Sequence, residues 1–483
     1  MFGRVRERQF IQRDWTVTDL SSEERFQKEL SGQRNDNCRD LWGLVVPFAS
    51  IRNAAYRSER HGRLGIAHWR WWGSAPRNGR PCRATNAMEN IEKYQKQLLE
   101  QTQSLYRDTP ISEATQQAYL ATPRHRFVRR YREWGTKEWQ VVEPESLAEH
   151  IATLYADRPL SLFGNDDQNI LSTISQPSLV LRMLDLLELK VGDRVLELGA
   201  GSGWSAALMG RIVGQKGHVV SLEIIPELAQ NAAQNIASLG IANVQILTGD
   251  GAQGCDNSAP YDRVVFTAGT FDLPHYFYEQ LRDQGLLLVV FKTEGGGDHL
   301  FLLRKTEDHF ESLWSARCGF VQLRGSYQFD DLEPNTLDKA IPEWSQLQNR
   351  EISKRRFWWG AKAEPTRVWS TVGIRSFLGI TEPAFRAFKT AKLEDSTEHH
   401  YFGLWDAASG SLVIARDDWL ITYGNHKAEE RLLQRLHHWV EIGMPSAASL
   451  DLKVYPIGAY VRTSDNQWLV KRRDSQFLWS LQP

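Results

Sequence analysis

The residues best suited to chemistry lie in one strand–turn–helix segment and at two points downstream of it. Val195 to Gly210 reads VLELGAGSGWSAALMG: an apolar run with one acid, Glu197, leads into Gly199, Ala200, Gly201 and Gly203 and then a helical stretch. Glycines let a turn take conformations closed to other residues, and let the backbone meet a ligand with no side chain between. Glu223 follows about 20 residues beyond Gly203, at the end of the next apolar run, where a carboxylate can accept hydrogen bonds from both hydroxyls of a ribose. Asp250 and Gly251 end a third run in TGDG. An acid there can meet an adenine edge, and the small Gly251 leaves room for the ring.

Together the three strand ends describe an S-adenosylmethionine pocket at the carboxyl edge of a sheet, where open α/β folds bind ligands. A dinucleotide site is the alternative, but the loop reads G-A-G-S-G and not G-x-G-x-x-G. Taken singly, Asp250 could be a turn residue, Glu223 a solvated strand end and Glu197 a satisfied buried acid. Glu197 could equally orient the glycine loop or meet the cofactor's amino group.

These residues need a sheet to hold them. Short apolar runs alternate with helical segments from about Arg194 to Leu323, as in a layered α/β domain with a largely parallel sheet. Strands are expected at Arg194–Leu198, His218–Glu223, Val244–Thr248, Arg263–Thr267 and Gly285–Phe291, with a terminal antiparallel hairpin from Leu300–Arg304 and Ser315–Leu323. That order is the Rossmann-like, seven-stranded sheet of class I S-adenosylmethionine methyltransferases. Extra units flank it. Residues 1–90 are an Arg/Trp-rich accessory region, 91–326 the catalytic domain, and 327–483 a C-terminal accessory domain expected to recognise the acceptor. Residues Asn90 to Tyr119 suit one or two amphipathic helices, and Ala428–Glu441 another, stopping before Gly443.

The 483 residues, 41% apolar, are enough for two or three packed domains. Lys plus Arg (58) nearly cancels Asp plus Glu (59), so no global field draws the chain to nucleic acid or membrane. The basic, aromatic segment Arg52 to Arg83 could contact phosphates and stack on bases; solvated arginines or a peptide-binding role are the preferred reading. Cys38, Cys82, Cys255 and Cys318 are too scattered for a zinc site or disulfide scaffold, and no metal is expected. The charged start MFGRVRERQF lacks a signal's apolar stretch, and no apolar run reaches membrane-spanning length, so a cytoplasmic protein is expected.

STISQPSLVLRMLDLL, Ser172 to Leu187, closely resembles the protein-L-isoaspartate O-methyltransferase family, in which a T-I-S-Q-P stretch precedes the cofactor loop. Further pieces follow in the family's order: TPRHRFV (Thr122–Val128), YADRPL (Tyr155–Leu160), SLEIIPELA (Ser221–Ala229), GDGAQG (Gly249–Gly254) and APYDRVVFTAG (Ala259–Gly269). The resemblance implies that Ser175 is the active-site residue and that the Thr173–Gln176 loop lies between methyl donor and acceptor. Thr173, Ile174 and Ile224 then join the cofactor set, and Gln176, Thr267 and Gly269 the acceptor side. By itself Ser175 would read as a helix-cap serine ahead of Pro177.

Two departures fall where an acceptor peptide would lie: an insertion, LFGNDDQNIL, and FTAGTFDLP after the fourth strand. With FGLWDAASGSL and WVEIGMP near the C-terminus, they resemble the branch that methylates an aspartate in ribosomally made peptides, some members of which promote aspartimide formation. The expected partner is a peptide or protein bearing Asp or isoAsp, with general isoaspartate repair as the alternative and a nucleic-acid or small-molecule methyltransferase behind it. A carboxylate is ionised at neutral pH, so no general base is required. The intact glycines and acids argue against a scaffold with a vestigial site. The flanking units are expected to govern acceptor choice and to be dispensable for cofactor binding.

Overall fold

The computed structural model describes residues 83–164, 170–295, 297–356, 365–390, 400–416, 419–446 and 449–482. The expectations for residues 1–82, with Cys38, Cys82 and nearly all of the Arg/Trp-rich segment, fall outside these residues, as does the centre of the LFGNDDQNIL insertion.

Helices α1 (Arg83–Leu105) and α2 (Glu113–Leu120) form where amphipathic periodicity placed one or two helices, and the Ser112 side chain caps α2 by accepting from the Thr115 amide. Strands β1 (Arg130–Tyr131) and β2 (Gln140–Val141) pair antiparallel ahead of α3 (Leu147–Leu154). The hairpin β3 (Leu160–Gly164) and β4 (Ile170–Ile174) carries the insertion, and Pro177, pre-set for a first helical turn, opens α4 (Pro177–Leu186).

The central body is doubly wound. In chain order it comprises β5 (Arg194–Leu198), α5 (Trp204–Val213), β6 (His218–Glu223), α6 (Pro226–Ser238), β7 (Val244–Thr248), β8 (Tyr261–Thr270), α7 (Tyr276–Gln280) and β9 (Leu281–Lys292). The parallel strands lie in the order β7, β6, β5, β8, β9. Strand order reverses beside β5, and the carboxyl ends there open a crevice. Buried on both faces, the strands divide their side chains: Val195 and Val219 pack with Tyr119, Leu181 and Leu208, whereas Leu196, Leu198 and Val220 face Phe277 and Phe477.

Strands β10 (Asp298–Lys305) and β11 (Phe310–Cys318) add the expected antiparallel hairpin. Its second strand starts five residues earlier than Ser315 and stops at Cys318. Residues 319–324 leave the hairpin because Asp298 captures the Phe320 amide (3.0 Å) and Gly269 pairs with Val321 and Leu323.

The central sheet is larger than the expected seven strands, because part of the C-terminal chain adds to it and the rest builds a second sheet. Strands β12 (Glu351–Arg356), β13 (Phe385–Lys389), β14 (His400–Asp406), β15 (Ser411–Arg416) and β16 (Trp419–Tyr423) form this separate antiparallel sheet in the order β12, β16, β15, β14, β13. It packs with α8 (Pro365–Thr381) and α9 (Lys427–Glu441) around Phe377, Phe402, Leu432 and Trp439. Strands β17 (Leu450–Pro456), β18 (Gln467–Lys471) and β19 (Ser475–Leu481) instead return to the central sheet. β17 pairs with β11, giving ten strands in the order β18, β19, β17, β11, β10, β9, β8, β5, β6, β7. Their apolar side chains, Leu452, Val454, Phe477 and Trp479, bury against Phe291 and Phe301, covering an edge that β11 would otherwise expose. Among the described residues no helix is long and apolar enough to cross a membrane.

Candidate active site

The crevice beside β5 holds a pocket, part of it open to solvent, that brings the glycine loop, Glu223 and Ser175 to one cavity. Its floor is the glycine loop. The Gly199 and Ala200 amides both donate to the Leu222 carbonyl (2.8 and 3.0 Å), tying the loop to β6. Gly199 has φ +98°, and a Cβ there would stand 2.7 Å from Thr267 Oγ1, so a larger residue would be strained in the turn and would push the Thr267 hydroxyl from its place. A Cβ on Gly201 would point towards Ser172 Oγ and the Thr173 carbonyl, both at 3.5 Å, into the gap between the loop and β4. Gly203 stands at the amino end of α5 with φ +82°.

Glu223 ends β6 almost fully buried. Its Oε2 accepts from the Gly201 amide (2.8 Å) and its Oε1 from the Ile225 amide (3.0 Å). Burial pushes this carboxyl up from its usual range, against the pull of those backbone amides. A carboxylate oxygen has two lone pairs, so each retains one for a ligand hydroxyl. Glu197, wholly buried, accepts from the hydroxyls of Ser205 and Ser221, the latter at 2.6 Å. Each oxygen thus accepts one serine hydroxyl, the residue lines the pocket below the glycine loop, and burial lifts the group to about 7.

The opposite wall is formed by Thr173, Ile174 and Ser175, at the end of β4, and by Phe320 to Arg324. Among the described residues the Ser175 hydroxyl has no hydrogen-bond partner, whereas its carbonyl is held by Arg124 Nη2 (3.1 Å). Ile224, Gly251 and Thr267 also line the pocket. The Thr267 hydroxyl donates to the Leu198 and Gly199 carbonyls (2.8 and 2.6 Å), which makes it a brace for the glycine loop.

Other expected residues stand elsewhere. Asp250 lies outside the lining: its carboxylate accepts from the Ala252 amide (3.0 Å) and the Ser326 amide (2.7 Å). Burial pushes this carboxyl up, but those hydrogen bonds and the Arg473 charge outweigh it and hold it below its ordinary value. A Cβ on Gly251 would meet Leu198 Cγ at 2.9 Å, so close packing on β5, as well as room for a ring, requires the glycine. Gln176 Nε2 donates to Asp157 (3.0 Å) and to the Ser178 hydroxyl (3.1 Å), turned to the start of α4 and away from the lining. Gly269 is one step removed, pairing with the wall through the Val321 carbonyl (2.8 Å) and the Leu323 amide (2.7 Å).

Two supporting residues were not anticipated. Arg124 is fully buried and donates to the carbonyls of Leu154, Ala156, Arg158, Ile174 and Ser175, with its guanidinium 5.6 Å from the Trp204 ring centre. Asp157 accepts from the Ser178 amide (2.9 Å) and hydroxyl (2.7 Å), placing a carboxylate at the positive end of α4. TPRHRFV and YADRPL contain these residues, but nothing in local spacing marks an arginine as a buried clamp.

The site fits an S-adenosyl nucleoside: Glu223 could hold a ribose, the glycine loop admits a ligand against backbone, and Ser175 faces the cavity with an uncommitted hydroxyl. A solved structure titled protein-L-isoaspartate O-methyltransferase aligns over 74% of this chain and 96% of its own at 24% identity, TM-score 0.44. The profile of the protein-L-isoaspartate(D-aspartate) O-methyltransferase family matches residues 93–328. Protein-L-isoaspartate O-methyltransferase 1 of Archaeoglobus fulgidus is 37% identical over 226 residues, 46% of this chain and 91% of that protein. The Ignicoccus hospitalis enzyme is 39% identical over 167 residues, 35% of this chain and 75% of that protein. On that similarity the chain belongs to the protein-L-isoaspartate(D-aspartate) O-methyltransferase family and is an S-adenosylmethionine-dependent carboxyl methyltransferase.

Proposed function

We propose that the acceptor is an aspartyl or isoaspartyl carboxylate of a peptide or protein, converted to its methyl ester in the pocket between the glycine loop and Ser175. The observation that carries this is the Ser175 side chain: it lines the same cavity as Glu223 and the loop, and its hydroxyl has no partner among the described residues. S-adenosylmethionine supplies a methyl group on a positively charged sulfur. Glu223 would accept from the ribose hydroxyls, with Gly199, Ala200, Gly201 and Ile224 around the nucleoside and Thr173 and Ile174 above it. The acceptor, with a reference pKa near 4, arrives ionised. Its oxygen would take the methyl group, the C–S bond electrons remaining with the departing sulfur. No proton moves, so the Ser175 hydroxyl acts by donating to the carboxylate and aligning it, while Ile174, Val180 and Phe320 keep water from the reacting atoms.

The finer reading is an aspartate in a precursor peptide, whose ester then cyclises to an aspartimide with loss of methanol. It is supported by the likeness of LFGNDDQNIL, FTAGTFDLP, FGLWDAASGSL and WVEIGMP to the branch that methylates ribosomally made peptides. Methyl label transferred from the cofactor is expected to leave as volatile methanol after brief mild alkali. Label that survives alkali on the acceptor would exclude a carboxyl ester.

A further inference from the structure

The tight turn joining β18 to β19 sits against the active-site wall, 147 or more residues away in sequence. It is closed by the Arg472 amide on the Ser475 carbonyl (2.8 Å), and every residue from Arg472 to Ser475 reaches across to the catalytic body. The Asp474 amide donates to Asp272 Oδ2 (2.8 Å), and the Ser475 hydroxyl to the Leu273 carbonyl (2.6 Å), holding the loop that follows β8. The Asp474 carboxylate accepts from His275 Nδ1 (2.8 Å) and from the Tyr327 hydroxyl. Arg473 Nη1 donates to the Ser326 carbonyl (2.9 Å), and its guanidinium lies 3.9 Å from the Tyr327 ring centre. Arg472 Nη1 pairs with Glu294 (3.0 Å) beyond the end of β9.

Ser326 connects this cluster to the pocket. Its amide is the group that binds the Asp250 carboxylate, and it closely follows the wall Phe320–Arg324. Asp298 holds the start of that wall at the Phe320 amide, Gly269 fixes its middle through Val321 and Leu323, and beyond its far end Ser326 is held by Asp250 on one side and by Arg473 of the C-terminal turn on the other. The turn therefore doubles the hold on Ser326, and with it the setting of both the far end of the wall and the Asp250 carboxylate.

We infer that Arg473 and Asp474 are positioning residues for methyl transfer: the C-terminal turn sets the pocket wall and, through Ser326, the Asp250 carboxylate. The C-terminal chain is then part of the cofactor site and is not dispensable for cofactor binding. This rests on the pocket being the cofactor site, and the experiment separates the two claims.

In the full chain, Arg473→Ala, Arg473→Lys, Asp474→Ala, Glu223→Ala and a control, Arg462→Ala, would be titrated with S-adenosylhomocysteine by calorimetry. Their kcat and KM would be measured by methyl transfer to an isoaspartyl peptide. Among the described residues Arg462 hydrogen-bonds only to exposed Tyr460, on the adjoining loop. Arg473 is half exposed, so its variants should fold even if Asp474→Ala does not. Arg473→Ala is expected to weaken cofactor binding roughly five- to twentyfold and raise the cofactor KM with little change in kcat. Arg473→Lys, which keeps the charge and a donor for Ser326, should recover most of the loss, and Arg462→Ala should match wild type. Wild-type binding and KM in folded Arg473→Ala would overturn the inference while leaving the pocket assignment intact, provided Glu223→Ala weakens binding. Unchanged affinity in Glu223→Ala would overturn the pocket assignment and this inference with it.

Discussion

The two walls of the pocket are held by different means. On the donor side, glycine-loop amides bind the Leu222 carbonyl, and Glu223 binds the Gly201 and Ile225 amides, all within two adjacent strand–helix units. On the opposite side, which in the proposed reading faces cofactor and acceptor alike, Ser175 is set by Arg124 and the start of α4 by Asp157, and Phe320–Arg324 run between Gly269 and the turn at Arg473 and Asp474. One wall is held largely by groups close together in the chain, with Thr267 bracing it from β8, and the other by side chains and backbone pairs that all reach across long stretches of sequence. A short motif can therefore carry the donor half intact, while the opposite half depends on distant segments and is the half free to diverge.

On this contrast, the largest effect on stability should come from the opposite side. Arg124→Ala removes a donor from five carbonyls, of which Ala156 keeps the Arg158 amide, and is expected to cost about 3–5 kcal/mol, the range for removing one partner of a buried charged pair. Thermal unfolding would show it, and an unchanged melting temperature would mean that the Ser175 loop holds its shape without the clamp.

On the donor side the next effect depends on pH. Burial raises Glu197 from 4.5 to about 7. The folded acid keeps its proton where the unfolded one has lost it, so this contribution is fully present below about pH 4.5 and falls as pH rises towards 7. At about 1.4 kcal/mol per pKa unit the loss is on the order of 3 kcal/mol. Glu197→Gln should flatten the difference in melting temperature between pH 5 and pH 7.5; equal slopes in variant and wild type would show that Glu197 does not titrate in that window.

Glu223→Ala should reduce S-adenosylhomocysteine affinity roughly ten- to hundredfold, about 1.5–3 kcal/mol, and leave the acceptor KM unchanged. A shift in acceptor KM with cofactor affinity intact would invert the assignment of the two walls. The smallest effect is expected from Ser175→Ala: a fall in kcat of roughly tenfold, about 1.4 kcal/mol, at unaltered cofactor affinity. Full turnover in that variant would leave alignment of the carboxylate to other groups.

How far the chain could be read follows the same division. Arg194–Leu198, His218–Glu223 and Val244–Thr248 form as read, because each is an apolar run ended by glycine, acid or turn residues. The strand expected from Ser315 was displaced because Asp298 and Gly269 draw residues 320–323 out of the hairpin, a competition between partners distant in sequence. Asp250 was legible as a strand-end acid, but its engagement by Ser326 was not, since the two are 76 residues apart. Gln176 looked like a loop residue facing the acceptor, yet the amide turns to Asp157, whose role at the start of α4 leaves no mark in local spacing.

By itself the sequence determined the parallel sheet, the glycine turn and the acid that ends the second strand, because periodicity, turn chemistry and strand-end position act over a few residues. Only the tertiary structure decided that β17, β18 and β19 close the central sheet, that Arg124 clamps the Ser175 loop, and that Arg473 and Asp474 brace the far wall. An alternating strand fits any apolar face and a buried arginine any set of carbonyls, so their partners are chosen by which surfaces and polar groups the folded chain must cover.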